Sequence, residues 1–302
     1  MKYQIKLICA AVISLLCSLP SCVQIIIPPQ SQTAFAGSNV TVTVRETKGV
    51  TTLPAVTSGT MKLWLKADAG VITMNNRVTE WRDQSINANH CSQANVNKQP
   101  LLVAAGLNGR PVVRFDGIQD ENLGDYLRGT GDAGLTAGFS SFMVYSKADR
   151  TVDEEIPVLI GVPYSYNSVL TFYIRNTAIT NDEMAFGAWG NDYGSGFHIP
   201  ALTPRIWGER LNTAKTQIEL FDTDGIHDFT SACATSGLLS PDSGYYVGGL
   251  ESQTRNFQGD IAEIIYYQGT LSDTDRLSVE NYLKQKYSLG SPVNESKRVR
   301  QK

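Results

Sequence analysis

The stretch NFQGDIAEIIYYQGTLSDTDRLSVENYLKQKYSL, residues 256–289, changes its hydrophobic period half-way along. Ile261 to Tyr267 is almost wholly apolar, as expected of a strand covered on both faces at the centre of a sheet. After Ser272 the period lengthens. Leu277, Tyr282 and Leu283, with Val279 nearby, make a helical apolar face. Ser272 stands at the N-cap position, Asp273 and Asp275 occupy the first turn, and Lys284 and Lys286 the last, as the helix dipole favours. Gly290 and Pro292 then stop the helix.

Upstream, helical periods give way to strand periods. In MKLWLKADAGV (61–71), Leu63 and Leu65 alternate with Lys62 and Lys66 around Trp64, the pattern of a half-buried strand. In LNGRPVVRFDG (107–117), Val112 and Phe115 fit a strand that ends in the Asp116-Gly117 turn. Further strands are expected at 139–145, 158–162, 170–174, 184–188, 217–221 and 245–247. Many short strands and one terminal helix imply an all-β domain over 61–289: a sandwich of two antiparallel sheets closed by a single C-terminal helix.

Of the 302 residues, 42% are hydrophobic and 18% charged, which permits a large core. The formal net charge of −3 provides no basic field for nucleic acid. Residues 1–22 read as an export signal, with Lys2 and Lys6 ahead of an apolar run from Leu7 to Leu19 that is short for a membrane span. Leu19-Pro20-Ser21-Cys22 resembles a lipoprotein box in which Cys22 is lipidated, though Pro20 fits it poorly; ordinary signal cleavage nearby is the other reading. The membrane enters only through such an anchor. Residues 23–60 differ in texture, with a Pro-Pro break, the alternating strand Val40-Val42-Val44 and a linker-like run TTLPAVTSGT (51–60). They resemble the opening of a bacterial immunoglobulin-like repeat, but about 35 residues fall far short of its ~100. They read as a spacer, a remnant or an extra strand. The tail 290–302 is basic and reads as a solvated terminus.

Taken in order, LWLKADAGV, WRDQSINANH (81–90), LNGRPVVRFDG and FQGDIAEIIYYQGTLSDTDRLSVENYLKQKYSL are similar to the laminin G-like, concanavalin A-like jelly-roll domains of secreted bacterial proteins. The resemblance covers most of 61–289; residues 147–245 match only in their rhythm of strands. It implies two stacked antiparallel sheets, one concave, and no particular ligand, because members bind glycans, adhere to surfaces or form parts of larger proteins.

Several groups are candidates for a site. Trp189, Asn191, Asp192 and Tyr193 combine flat aromatic faces with hydrogen-bonding groups suited to a sugar ring, and His198, Trp207, Arg205 and Tyr164 are possible contributors. The competing reading makes Trp189 and Trp207 core. Asp116, Asp120 and Asp125, clustered with Glu121, have the oxygen chemistry of calcium ligands without the spacing of an EF-hand; a solvated acidic loop is the alternative. Asp83, Asn87 and Asn89 suit either a ligand contact or a rigid turn, in a loop where the family carries glycine at the positions of Ile86 and Ala88. Asp222 and Asp224 suggest a hairpin turn or a second metal contact. Cys91 and Cys233 are either one disulfide or two separate thiols.

No catalytic group is evident. Retaining glycosidases bring two carboxyls to about 5 Å. Glu154 with Glu155, Glu219 with Asp222 and Asp260 with Glu263 all diverge in an extended strand. His90, His198 and His227 are scattered, with no HExxH, and no GxSxG elbow appears. The expectation is a secreted or surface-attached binding module without catalysis, for a glycan or a cell-surface protein, with calcium as the one candidate cofactor. A structural or adhesive protein, and less so a glycan hydrolase or lyase, are the alternatives.

Overall fold

The computed structural model describes residues 52–120, 122–131, 138–150, 154–160, 169–175, 182–188, 191–222, 229–233, 244–250 and 254–290. All belong to one unit, Gly49–Lys302. Residues 1–22 with Cys22, the strand expected at 40–44, Glu121, Tyr164, Trp189, Asp224, His227 and residues 291–302 lie outside the described residues.

The described strands form two antiparallel layers. In the first, β8 (Phe139–Lys147) pairs on one side with β14 (Arg205–Leu211), which is followed by β15 (Gln217–Asp222) and β16 (Phe229–Ala232). On its other side β8 pairs with β18 (Gln258–Gln268). The far edge of β18 is shared by β1 (Thr60–Lys66) and β6 (Arg110–Asp116), and β5 (Leu101–Leu107) extends β6. The apolar run in 261–267 is thus central, with neighbours along both edges.

The second layer runs β13 (Asn191–His198), β12 (Glu183–Ala188), β11 (Val169–Arg175). Two short strands, β9 (Glu154–Glu155) and β10 (Val158–Ile160), share the next edge of β11. Then come β17 (Tyr245–Val247), β7 (Leu127–Gly129), β4 (Cys91–Ser92), β3 (Arg77–Trp81) and β2 (Val71–Met74). A single pairing, Arg77 with Leu101, ties the layers at one margin.

The main core lies between the layers. Leu65, Met143, Trp207 and Tyr266 from the first meet Trp81, Phe172, Phe186 and Val247 from the second. Trp207 is fully buried, with its ring 5.9 Å from Tyr145 and 5.7 Å from Phe172. Complete burial of such side chains stabilises by about 1.5–3 kcal/mol each.

Helix α1 (Asp273–Tyr287) lies on the outer face of the first layer. Val279, Tyr282, Leu283 and Tyr287 pack on Phe142, Ile206, Ile265 and Tyr267. Ser272 caps it, accepting from Asp275 N at 3.2 Å, and Ser288 ends it in the left-handed region, with Gly290 two residues on. Among the described residues no helix is long and apolar enough to cross a membrane.

Residues 53–59 do not behave as a linker. Leu53 and Val56 pack beside α1. Asp275 Oδ2 accepts from Thr57 N at 2.9 Å, Ser58 N at 2.8 Å and Ser58 Oγ at 2.5 Å. An acidic residue in the first turn of a helix therefore also anchors the chain that enters β1.

Candidate functional site

Among the described residues, no helix lies across the outer face of the second layer. Its register forms an unbroken cross-strand row: Ile72 with Glu80, Glu80 with Ser92, Ser92 with Arg128, Arg128 with Tyr246. The row continues through Leu159, Leu170 and Gly187 to Asp192. Directly paired residues share a face, so the row joins groups 120 residues apart in sequence, from Ile72 to Asp192, on one surface. At its middle, Tyr126, Ile156, Tyr173, Ala185, Tyr246 and Leu250 form a separate buried cluster. The rings of Tyr126 and Tyr246 lie 6.0 Å apart. Lys98 stands over Tyr126 and Arg128 over Tyr246, each 5.6 Å from the ring centre.

Beside these tyrosines an open groove of about 460 Å³ runs over β2, β3, β4 and the short 3-10 turn Val96–Lys98. Its apolar walls are Met74 and Val96, which are 68% and 56% exposed. Asn75, Arg77, Thr79, Ser92, Gln93 and Gln99 supply polar groups, and Ala94 completes the lining. The lining is ordered by its own bonds. Gln93 donates to Tyr126 O at 3.3 Å and accepts from Asn95 N at 2.9 Å; Gln99 donates to Gln93 O at 2.7 Å. Arg77 donates to Gln99 O at 3.0 Å. The β2–β3 turn that carries Met74 and Asn75 has left-handed Asn75 and Asn76 (φ 51° and 63°), the conformation a tight hairpin demands and asparagine tolerates.

The strands expected from the sequence do not include the region around Asp192. Asn191–His198 is a strand, so successive side chains alternate. Asp192 is exposed, whereas Tyr193 stacks on core Phe186 at 6.4 Å. Tyr193 is therefore turned to the opposite face from Asp192, partly buried against the core. Desolvation raises the Asp192 carboxyl; Arg175 and Arg255 oppose the shift and Glu154 adds to it. His198, also exposed, pairs in register with Glu183. Of the proposed contributors, Trp207 is core, and Arg205 is spent on Asp222, with its Nε 2.9 Å from Oδ1.

The acidic loop is tied to protein donors. Asp116 Oδ1 accepts from Ile118 N at 3.0 Å and Asp125 N at 3.3 Å, while Asp125 Oδ2 accepts from Asp116 N at 3.2 Å. Asp120 turns back onto Asn122 N. The loop carbonyls of Gly117 and Ile118 receive Arg150 and Asn256, and Arg150 also donates to Asn256 O at 3.0 Å and Glu155 at 3.1 Å. A guanidinium thus fills the cationic role at this rim. Buried Asp125 Oδ1 is left without a partner; burial, with Asp116 beside it, pushes this carboxyl up to about 7. Calcium needs six or more converging oxygens. Asp116, Asp120 and Asp125 do not converge, and among the described residues no group of three or more His, Cys, Asp or Glu is placed to hold a metal ion. The described carboxylates of this loop are taken up by backbone donors of the loop itself.

Asp83 is a turn organiser. Its carboxylate accepts from Trp64 N, Ser85 N, Ser85 Oγ and Asn89 N at 2.6–2.9 Å, and Asn87 and Asn89 donate to the carbonyls of Met61 and Lys62. Ala88 stands at φ 54°, a left-handed conformation in which glycine would be unstrained. Cys91 and Cys233 are free thiols rather than a disulfide. Cys91 Sγ points to Trp81 O within β3–β4, and Cys233 Sγ to Lys215 O beyond β16. Burial pushes the Cys91 thiol up to about 12, so it is unreactive.

Sequence reasoning missed Glu209. It is 1% exposed between the layers and accepts from Phe172 N at 2.7 Å. Phe172 lies at φ 56° in a bulge where β11 slips against β12. Burial holds the Glu209 carboxyl well above the usual range, while Phe172 N–H, Ser141 and Trp207 oppose the shift. The groove was missed too, since Met74 and Val96 belong to short polar stretches with no site-like composition.

Neither a protein-family model nor a curated protein sequence matches the chain. Among solved structures, an arabinofuranosidase complexed with arabinofuranosyl-alpha-1,2-xylobiose is similar over 72% of this chain and 53% of its own, at 17% identity and TM-score 0.50. Domain 4 of AbnA, a GH43 extracellular arabinanase from Geobacillus stearothermophilus, in complex with arabinotriose, covers 75% of this chain and 99% of its own, at 13% identity and TM-score 0.48. The binding domain of Paraclostridial Mosquitocidal Protein 1 covers 74% and 52%, at 10% identity and TM-score 0.47. The chain spans about half the length of the arabinofuranosidase, and that likeness establishes a shared β-sandwich fold alone.

Proposed function

We propose that this chain is an exported, non-catalytic binding module of laminin G-like type that takes a carbohydrate on the outer face of its second layer. The observation that carries the reading is the groove between β2–β4 and the Val96–Lys98 turn. Exposed Met74 and Val96 provide apolar surface for the C–H face of a sugar, and amides, hydroxyls and a guanidinium converge beside them, as in small-ligand sites generally. The carboxylates support binding over hydrolysis, for they serve the fold: Asp260 pairs with Arg114, Glu219 with Arg210, Asp222 with Arg205 and Glu263 with Lys286. The reading does not run through calcium.

The test is thermal unfolding of the full chain against a panel of polysaccharides, followed by titration of the best ligand. A ligand that binds only the folded state raises the midpoint. Val96→Asp and Met74→Asp are expected to weaken binding at least tenfold while the ligand-free midpoint stays unchanged. If no polysaccharide moves the midpoint, the glycan reading fails. The second reading is then a protein partner, favoured by β2, which among the described residues pairs on β3 alone and exposes Ile72 and Met74.

A further inference from the structure

We infer that the ligand of this groove is a glycan bearing acetyl groups, held as ester or amide, and that the groove reads the acetyl substituent rather than the bare ring. The inference rests on the glycan reading above and adds the chemical class. A bare pyranose offers flat C–H faces, which aromatic rings cover best. Among the described residues the groove lining has no aromatic ring, and Tyr126 and Tyr246 beside it are buried. Its apolar part is aliphatic instead: Met74, Ala94 and Val96, all three exposed. Aliphatic side chains suit a methyl group, and the flexible thioether of Met74 can close around one.

The polar part of the lining favours donation. Among the described residues it carries one guanidinium, Arg77, and no carboxylate. Glu80, opposite Ser92 in register, is engaged by Arg82 at 3.2 Å. A sugar hydroxyl donates as well as accepts, so a bare sugar asks its site for strong acceptors, whereas an acetyl carbonyl only accepts. Some lining donors are already spent: Gln93 on Tyr126 O, Gln99 on Gln93 O and Thr79 on Ile72 O at 3.2 Å. No described residue takes up the Asn75 amide or the Ser92 hydroxyl, and both residues are exposed in the groove. Asn75 sits in a left-handed turn (φ 51°), which fixes where its side chain starts before a ligand arrives. An acetyl group would then set its methyl against Met74, Ala94 and Val96 and its carbonyl on the donors of Asn75 and Ser92.

Titration calorimetry of the full chain tests this with two matched pairs of ligands. One is acetylated xylan against the same xylan after saponification; the other is N-acetylchitopentaose against cellopentaose. Each pair keeps ring and linkage and changes the acetyl-bearing substituent, and the two pairs separate ester from amide recognition. The expected result is that the acetylated member of at least one pair binds about tenfold tighter than its counterpart. Val96→Thr, which exchanges a methyl for a hydroxyl, and Asn75→Gly, which keeps the left-handed turn while removing the amide, should each shrink that preference severalfold. Neither should weaken the counterpart. Equal affinity within both pairs, a preference that neither variant changes, or binding only of glycans without acetyl groups would keep the glycan module and overturn the acetyl inference. Silence toward both pairs and toward the wider polysaccharide panel removes the module reading and this one together.

Discussion

Lys286 Nζ lies 2.7 Å from Glu263 Oε2, and the two side chains are 3% and 0% exposed. Glu263 is the hub of the joint between helix and sheet. Its carboxylate also accepts from Trp64 Nε1 at 2.6 Å, Tyr282 OH at 2.9 Å and Tyr287 OH at 2.8 Å. The ammonium reaches Asp68 as well, at 3.1 Å. A buried carboxylate with four donors is satisfied; the same carboxylate without its cation is not. Lys286→Met should therefore cost about 3–5 kcal/mol in urea unfolding. Replacing both partners with apolar residues should cost less than that single change. A loss below about 1 kcal/mol for Lys286→Met would mean that the pair is solvated.

Asp275 links helix start to chain entry, and its carboxyl is held below the usual range by the Ser58 and Thr57 donors. A lowered folded value means stability that is present above the ordinary carboxylate range and lost as pH falls through the lowered value. Asp275→Asn should flatten that acid limb of the melting profile and expose residues 53–59 to protease at neutral pH. An unchanged cleavage pattern would show that the segment is held otherwise.

Asp125 has the opposite sign. Its folded value of about 7 lies above the unfolded one, so its contribution is complete at low pH and is lost as pH rises from about 4 through about 7. Asp125→Asn should raise the melting midpoint at pH 8 and leave it nearly unchanged at pH 4. Equal effects at both values would locate the change in packing rather than in titration.

Glu209 answers the amide that the β11 bulge leaves unpaired at Phe172. Because burial holds its carboxyl well above the usual range, the uncharged glutamine is close to an isostere. Glu209→Gln should cost under about 1.5 kcal/mol, and Glu209→Ala about 3 kcal/mol or more, from an orphaned N–H and a cavity. Comparable losses for the two variants would show that charge matters at this position.

Cys91 should resist iodoacetamide in the native state at pH 8 and react once urea unfolds the chain. Intact mass should show both Cys91 and Cys233 as free thiols, as their separate partners Trp81 O and Lys215 O require. A product lighter by two hydrogens would reveal a disulfide instead.

The fold class was legible in the sequence because its signals are local. The apolar run 261–267, the Ser272 cap and the strand periods of 63–66, 112–115 and 139–145 are each decided by neighbours a few residues apart, and each stands where its pattern puts it. The candidate site was legible only in fragments. Asp192 does face the outer surface, but the alternation that follows from β13 being a strand turns Tyr193 to the other face, against the core.

What the sequence by itself determined is an all-β chain ending in one capped helix, with enough apolar length for a large core. What only the tertiary structure decided is which distant groups meet. Lys286, placed by its pattern at the helix end as a partner for the dipole, is buried on Glu263 of β18. Ser92 and Arg128 become neighbours at the groove through pairing of β4 with β7. Such meetings depend on strand order and register. These are settled by packing two layers of sheet against each other, and no local period encodes them.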